Sequence, residues 1–346
     1  MAGKVKWAVL GSGGIARRRT IPEGIMKAST AQLISVLDTN AVVNREVASQ
    51  FSAYAAGSID QLLSSDIDAV YIATPANTHC QQVIECAKAK KHILCEKPLG
   101  MTLKETQKMI TACKKAKVLL GTAFMMRFHS QHQAALRLIK DGKLGKPVYA
   151  RAQLSCWYPP IKGAWRQDPK KGGGGSLMDM GGHCIDLLEM FFGPVKKVSC
   201  IVCSNVHKYK SEDSAVAMLE FRNGAIGTVD TYFCIPDSSS KNFLELYGSK
   251  GSILAKGTIG QASQGEMQTF IEEENHGYDA VQNHTFDEAC ALSPTPINTY
   301  QAEIEEFSQA ILEKREPVND ARIGLQSQRV LDACYKSAKT GKTIVI

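Results

Sequence analysis

No window of the 346-residue chain is apolar enough to span a membrane, and no long apolar segment precedes its first glycine cluster. An unsecreted, soluble protein is therefore expected, with no membrane partner. A paired cysteine framework is also missing. Eleven cysteines are scattered along the chain, which suits a reducing cytoplasm. Cys200-Ile201-Val202-Cys203 has the spacing of a redox or zinc pair, but there is no second such pair. In a strand its two side chains would point to opposite faces, so these read as buried structural cysteines. His129 and His132 have no third ligand near them in sequence and read as exposed residues of a helix. No metal is expected. Aromatic residues make up 7% of the chain and are not interleaved with the basic ones, which argues against a nucleic-acid partner. No internal repeat is present.

The charge is present but uneven. The net +7 arises entirely in residues 1–123, which hold 16 Lys and Arg against 9 Asp and Glu, while residues 124–346 hold 25 of each. Such an excess can draw in an anionic dinucleotide, although lysine-rich helix faces such as Lys88-Ala89-Lys90-Lys91 account for much of it.

Within that basic segment, Val5 to Leu10 fits a buried strand. It leads into Gly11-Ser12-Gly13-Gly14-Ile15-Ala16, and Ile21 to Met26 fits a helix beyond. Strand, tight turn and helix are the context of a dinucleotide fingerprint. Gly11 permits the sharp turn, Gly13 lets the backbone approach the pyrophosphate, and Ala16 allows close helix-strand packing. The helix N-terminus offers free N–H groups and partial positive charge to the phosphates. A second buried strand, Ala31 to Leu37, ends at Asp38, about where an acidic residue meets the adenosine ribose. A carboxylate there repels a 2′-phosphate by about 4 kcal/mol at 4 Å and an effective dielectric of 20, roughly a thousandfold in affinity. NAD is favoured over NADP. Arg17, Arg18, Arg19 and Arg45 are the side chains that would neutralise such a phosphate if they reached it.

Strand-like and helix-like runs alternate through residue 123, with further strands at 68–73, 92–95 and 118–123. This predicts an N-terminal doubly wound parallel sheet of Rossmann type. After Phe124 the pattern changes to alternating runs at 148–153, 215–221, 226–232 and 242–247, joined by turn residues. That texture predicts a C-terminal α/β domain with a mostly antiparallel sheet, and helices return at 302–313 and 322–337. The expected division is residues 1–123 for cofactor and 124–346 for substrate, to which the family resemblance described next adds oligomerisation.

Five motifs in order resemble the Gfo/Idh/MocA oxidoreductase family: Ala73-Thr74-Pro75 with Asn77 and His79; Glu96-Lys97-Pro98; Arg127; Trp165-Arg166; and Gly172–Gly175 leading to Asp179 and His183. The resemblance covers nearly the whole chain and implies a Rossmann domain joined to an open α/β domain. It implies Lys97, Asp179 and His183 as the catalytic group. Gly11, Ser12, Gly13, Gly14, Ile15, Asp38, Thr74, Pro75, Asn77, His79, Glu96 and Lys97 would meet the cofactor, with Asn77 and His79 also able to cap the following helix. Substrate would meet Lys97, Arg127, Tyr158, Trp165, Arg166, Asp179 and His183, with Tyr278 a further candidate. A homodimer or homotetramer through the open sheet face is implied as well.

The chemistry asks for such a set. Oxidising a secondary alcohol sends hydride to the nicotinamide while a base takes the hydroxyl proton, and His183 has a suitable intrinsic pKa. Lys97 would stabilise the developing alkoxide. Asp179 and His183, four apart, share a face if helical, so that Asp179 would orient the imidazole. The four glycines would let backbone approach nicotinamide or sugar, aromatic rings would stack on sugar faces, and Asp186 would cap or pair within its helix. The expected activity is NAD(P)-dependent oxidation or reduction of a sugar, cyclitol or sugar derivative. Two alternatives remain at this point: an NAD-dependent glycoside hydrolase working by transient oxidation and elimination, and a dinucleotide-sensing regulatory protein on the same fold.

Overall fold

The computed structural model describes residues 3–272, 278, 280 and 289–346. Six strands form the first sheet: β1 (Val5–Leu10), β2 (Ala31–Leu37), β3 (Tyr54–Ala55), β4 (Ala69–Ile72), β5 (His92–Glu96) and β6 (Leu120–Ala123). All pair in parallel, in the order β3-β2-β1-β4-β5-β6. The strand order reverses between β1 and β4. Ligands of doubly wound sheets bind outside the carboxyl ends of the strands at such a point. Burial of these strands on both faces explains their near-continuous apolar runs: every residue of β4 is buried, as are all but one in β1.

The crossovers are α1 (Ala41–Gln50), α2 (Ile59–Leu63), α3 (Ala76–Lys88) and α4 (Leu103–Ala116). The segment after the glycine turn departs from the expected helix at 21–26. It turns helical at Gly14 and runs as a π-helix from Ala16 to Ile25, with Pro22 inside. Proline gives no backbone N–H, so a widened ladder is one way for the chain to pass it.

Among the described residues the second sheet has nine strands: β7 (Pro147–Ser155), β8 (Val195–Cys203), β9 (Ser214–Phe221), β10 (Ile226–Tyr232), β11 (Phe243–Gly248), β12 (Gly251–Lys256), β13 (Glu266–Ile271), β14 (Cys290–Ala291) and β15 (Ile344–Val345). Their order is β14-β13-β12-β11-β7-β10-β9-β8-β15, antiparallel except for the β7/β10 pair. Helices α5 (Ser130–Lys140), α6 (Pro169–Gly172), α7 (Gly182–Phe192), α8 (Thr299–Glu313) and α9 (Ala321–Thr340) complete the chain. The α/β class with one parallel and one largely antiparallel sheet is as the sequence predicts.

Late helices return to the early sheet. Phe307 of α8 packs against Trp7 of β1 with ring centroids 5.7 Å apart, and the Trp7 indole N–H donates to Ser308 Oγ at 3.1 Å. The buried α7 supplies Cys184, Ile185, Leu187 and Leu188 to the core under the second sheet. Cys200 faces that same core at 6% exposure, and its backbone N–H donates to Ser337 Oγ of α9.

His129 and His132 correct the expectation of exposed residues. They are 1% and 0% exposed, their rings lie 4.5 Å apart, and Phe191 of α7 packs edge-on against His132. The sequence period identifies a helix but not that its polar-looking side is covered by another one.

Candidate active site

Gly11 follows β1 at φ +79°, where a Cβ would come within 2.7 Å of the Ala73 carbonyl oxygen. Only glycine fits that left-handed turn against the loop after β4. A Cβ on Gly13 would meet Asp38 Oδ2 at 3.1 Å, and the Gly13 N–H donates to that oxygen at 2.9 Å. Asp38 Oδ1 accepts from Asn40 N at 2.9 Å, so the carboxylate is fixed at the end of β2 beside the glycine turn. Ser12 is fully buried and its Oγ has no hydrogen-bond partner among the described residues. A glycine cradle, an anchored carboxylate and an orphan hydroxyl fit a dinucleotide: pyrophosphate against Gly11–Gly14 and Ile15, ribose against Asp38. Of the four arginines nearby, Arg17 pairs with Glu46 at 2.9 Å and Arg19 with Glu23 at 3.2 Å. Arg18 and Arg45 are exposed and form no ion pair among the described residues.

Thr74 and Pro75 lead from β4 into α3, and Asn77 is exposed in its first turn. No side chain among the described residues caps α3, so the capping expected of Asn77 and His79 is not found. His79 is 1% exposed: Nε2 lies 2.9 Å from the Thr74 carbonyl oxygen and Nδ1 3.0 Å from that of Pro98. Burial holds it below the usual histidine range against those carbonyls. It is therefore a buried bridge between loops, and the expected cofactor contact is corrected accordingly.

Glu96 ends β5 and accepts from the buried Tyr71 hydroxyl at 2.5 Å and from Lys97 N at 3.2 Å. The next residue reaches across to the second sheet's side of the cleft. Lys97 Nζ donates to both the carbonyl oxygen and Oδ1 of Asp179, each at 2.8 Å. Arg166 Nε lies 2.9 Å from the same Oδ1. Burial works against the Asp179 carboxylate, but Arg166 and Lys97 outweigh it and hold the carboxyl well below its usual range. Asp179 is ionised.

Asp179 lies in a π-helical turn, Leu177–Gly181, that runs directly into α7, and His183 sits in the first turn of α7. Such insertions re-aim side chains at functional sites. Burial first, then the Lys97 cation, pushes His183 well below its usual range, with Asp179 opposing. Its Nδ1 is buried with no hydrogen-bond partner among the described residues, and Phe124 packs edge-on with centroids 6.0 Å apart. The ring is neutral and able to accept a proton. Asp179 gives its carboxylate to Lys97 and Arg166, and no hydrogen bond joins it to His183, so the expected orienting contact is absent.

Tyr158 packs on Phe233 at 4.9 Å with its hydroxyl near Arg166, whose guanidinium lies 4.2 Å above the Trp165 ring centroid. These three gather around Asp179. Arg127 does not join them as a free cation. Its Nε and Nη2 grip Asp186 at 2.7 to 2.9 Å, and Asp186 is 2% exposed. That buried pair corrects both the substrate contact expected of Arg127 and the capping expected of Asp186. Tyr278 stands 88% exposed. The glycine run serves packing: a Cβ on Gly174 would overlap the Tyr335 hydroxyl, and one on Gly175 the Glu212 carbonyl.

Sequence reasoning missed Phe124, Tyr71 and Cys156. Phe124 directly follows β6, and a strand's carboxyl end was a usable signal for it. Cys156 follows β7, where burial and the nearby Asp179 push its thiol up to about 12.

Residues 5–124 match the model of an oxidoreductase family's NAD-binding Rossmann fold, and residues 137–346 match that family's C-terminal alpha/beta domain. The chain is 27% identical over 345 residues to a 1,5-anhydro-D-fructose reductase of Ensifer adhaerens, covering 99% of this chain and 98% of the relative. It is 28% identical over 340 residues to a D-xylose 1-dehydrogenase (NADP(+)) of Haloferax volcanii, covering 98% of each. Its fold matches the aldose-aldose oxidoreductase of Caulobacter crescentus with a TM-score of 0.88 at 24% identity, covering 99% of this chain and 100% of that one.

Proposed function

Because the chain belongs to the Gfo/Idh/MocA oxidoreductase family, we propose that it transfers hydride between a nicotinamide dinucleotide and a secondary hydroxyl or keto carbon of a sugar, cyclitol or sugar derivative. The observation that carries this reading is the junction of Lys97, Asp179 and the neutral His183 at the carboxyl edge of the parallel sheet. Full-length relatives that act on anhydrofructose and xylose support the substrate class.

The bound nicotinamide would supply the hydride acceptor or donor. The chain's own groups handle the proton and the charge. In the oxidative direction His183 takes the hydroxyl proton, and Lys97 stabilises negative charge on the reacting oxygen. Asp179, ionised and shared between Lys97 and Arg166, fixes both cations at the pocket wall. It is a positioning residue for them. Trp165 and Tyr158 present ring faces to the sugar, and Arg166 has donors for hydroxyl groups. Residues 1–123 serve the cofactor and 124–346 the substrate.

NAD is favoured over NADP in this reading, because the Asp38 carboxylate, anchored beside the glycine turn, would repel a 2′-phosphate. Eleven cysteines scattered without a paired framework suit the cytoplasm, and the open face of the second sheet suits a homodimer or homotetramer.

Lys97→Met tests the assignment. Turnover should fall about a hundredfold or more, as on loss of an oxyanion donor, while NADH binding followed by fluorescence stays near wild type. Wild-type turnover in the variant would remove Lys97 from the chemistry.

A further inference from the structure

His79 stands between two loops with different tasks. Thr74, whose carbonyl oxygen lies 2.9 Å from Nε2, opens the cofactor loop after β4. Pro98, whose carbonyl oxygen lies 3.0 Å from Nδ1, directly follows Lys97 after β5. Both partners can only accept. A neutral imidazole has one N–H, so the buried ring donates to one of these carbonyls and packs against the other, standing between the two loops in either tautomer.

The connections continue on each side. Beyond Thr74, a Cβ on Gly11 would come within 2.7 Å of Ala73 O and 2.9 Å of Thr74 Cγ2, so the glycine turn rests directly on this loop. Beyond Pro98, Lys97 Nζ is fixed to Asp179 at 2.8 Å. A contiguous run of packed and hydrogen-bonded groups thus joins the glycine turn to the reacting ammonium, with the imidazole as its crosspiece. Displacing a reacting group by about 1 Å can cost a hundredfold in rate.

We propose that His79 is a positioning residue that ties the dinucleotide loop to the turn carrying Lys97, so that an occupied cofactor site and a correctly placed lysine support each other. The inference rests on the dehydrogenase reading and assigns His79 a task without contact to cofactor or substrate.

The test compares wild type with His79→Leu and His79→Gln in NADH affinity, melting temperature, kcat and sugar KM. His79→Leu should lower kcat about tenfold or more and weaken NADH about threefold, with sugar KM within about twofold of wild type. His79→Gln keeps an amide N–H for one carbonyl and should recover part of kcat. A lowered melting temperature with kcat and NADH affinity unchanged at temperatures where the variant is folded would overturn the proposal. Should neither variant fold, amide exchange in the wild type decides. NADH should slow exchange at residues 97–100 together with 74–78, and protection confined to 74–78 would overturn it. That arm needs only NADH, so a wild type that binds NADH but oxidises no sugar would sink the dehydrogenase reading while leaving this inference to be judged separately.

Discussion

Asp38 holds the end of β2 against the glycine turn, with its carboxylate fixed on Gly13 N at 2.9 Å. Asp38→Ala should weaken NAD binding and narrow its preference over NADP, measured as the ratio of the two dissociation constants; an unchanged ratio would remove Asp38 from that role. Residue type and distance from the glycines mark this position in the sequence alone. Arg127 is the opposite case. Its type suits an anionic or hydroxylated substrate, yet it is spent on Asp186. The two partners stand 59 positions apart in the chain, so nothing local marks the pair. The glycine run misleads for a similar reason. Small size is legible, but whether the close neighbour is a ligand or Tyr335 and Glu212 depends on tertiary packing.

At the scale of elements, patterns are most legible where one strand or helix sets its own period. β2 and β10 have the bounds the sequence predicts, Ala31–Leu37 and Ile226–Tyr232. The π-helical segments at 16–25 and 177–181 carry no such signal, because they are too short to establish a period of their own against the repeat of about 3.6 residues. The second of them sets where Asp179 stands relative to His183. The loop and helix holding His129 and His132 carry a consequence for acid stability. Burial lowers the two rings to about 4 and about 3, the second also through its neighbour's charge. Unfolded, each has a pKa near 6.5. Above that pH neither state binds the proton. Below it the unfolded chain takes up protons that the folded rings refuse, so stability falls by up to about 1.4 kcal/mol per pH unit per ring until the folded values are reached. His129→Leu loses no hydrogen bond, since both ring nitrogens lack partners among the described residues. It should show a smaller drop in melting temperature from pH 7 to pH 5 than wild type, and an equal drop would contradict this origin.

For the whole molecule, the two sheets differ in composition because they differ in burial. Strands buried on both faces build the parallel sheet, and alternating strands leave one face of the second sheet open. Ile201, Val216, Met218 and Ile226 stand on that open face at 74%, 38%, 62% and 56% exposure, with Ile201 opposite Val216. Apolar side chains grouped this way fit an interface between copies of the chain. Met218→Lys should shift mass measured by light scattering toward the monomer, whereas an unchanged mass would place the interface elsewhere. The return of α8 and α9 to the first sheet is less legible. Those helices are predicted near 302–313 and 322–337, but their packing against the first sheet rests on long-range contacts such as Trp7 with Phe307 and Ser308.

The central claim is that this cleft moves hydride to or from a carbohydrate carbon with His183 as the base. The most direct measurement is formation of reduced nicotinamide by the purified protein over inositols, free sugars, anhydrosugars, sugar phosphates and glycosides, with NAD and NADP in parallel and His183→Ala as control. The account predicts turnover of at least one carbohydrate, stronger with NAD, falling about a hundredfold or more in the variant while NADH still binds. Release of sugar from a glycoside with no net change in cofactor, or NADH binding with no turnover across the panel, would contradict it.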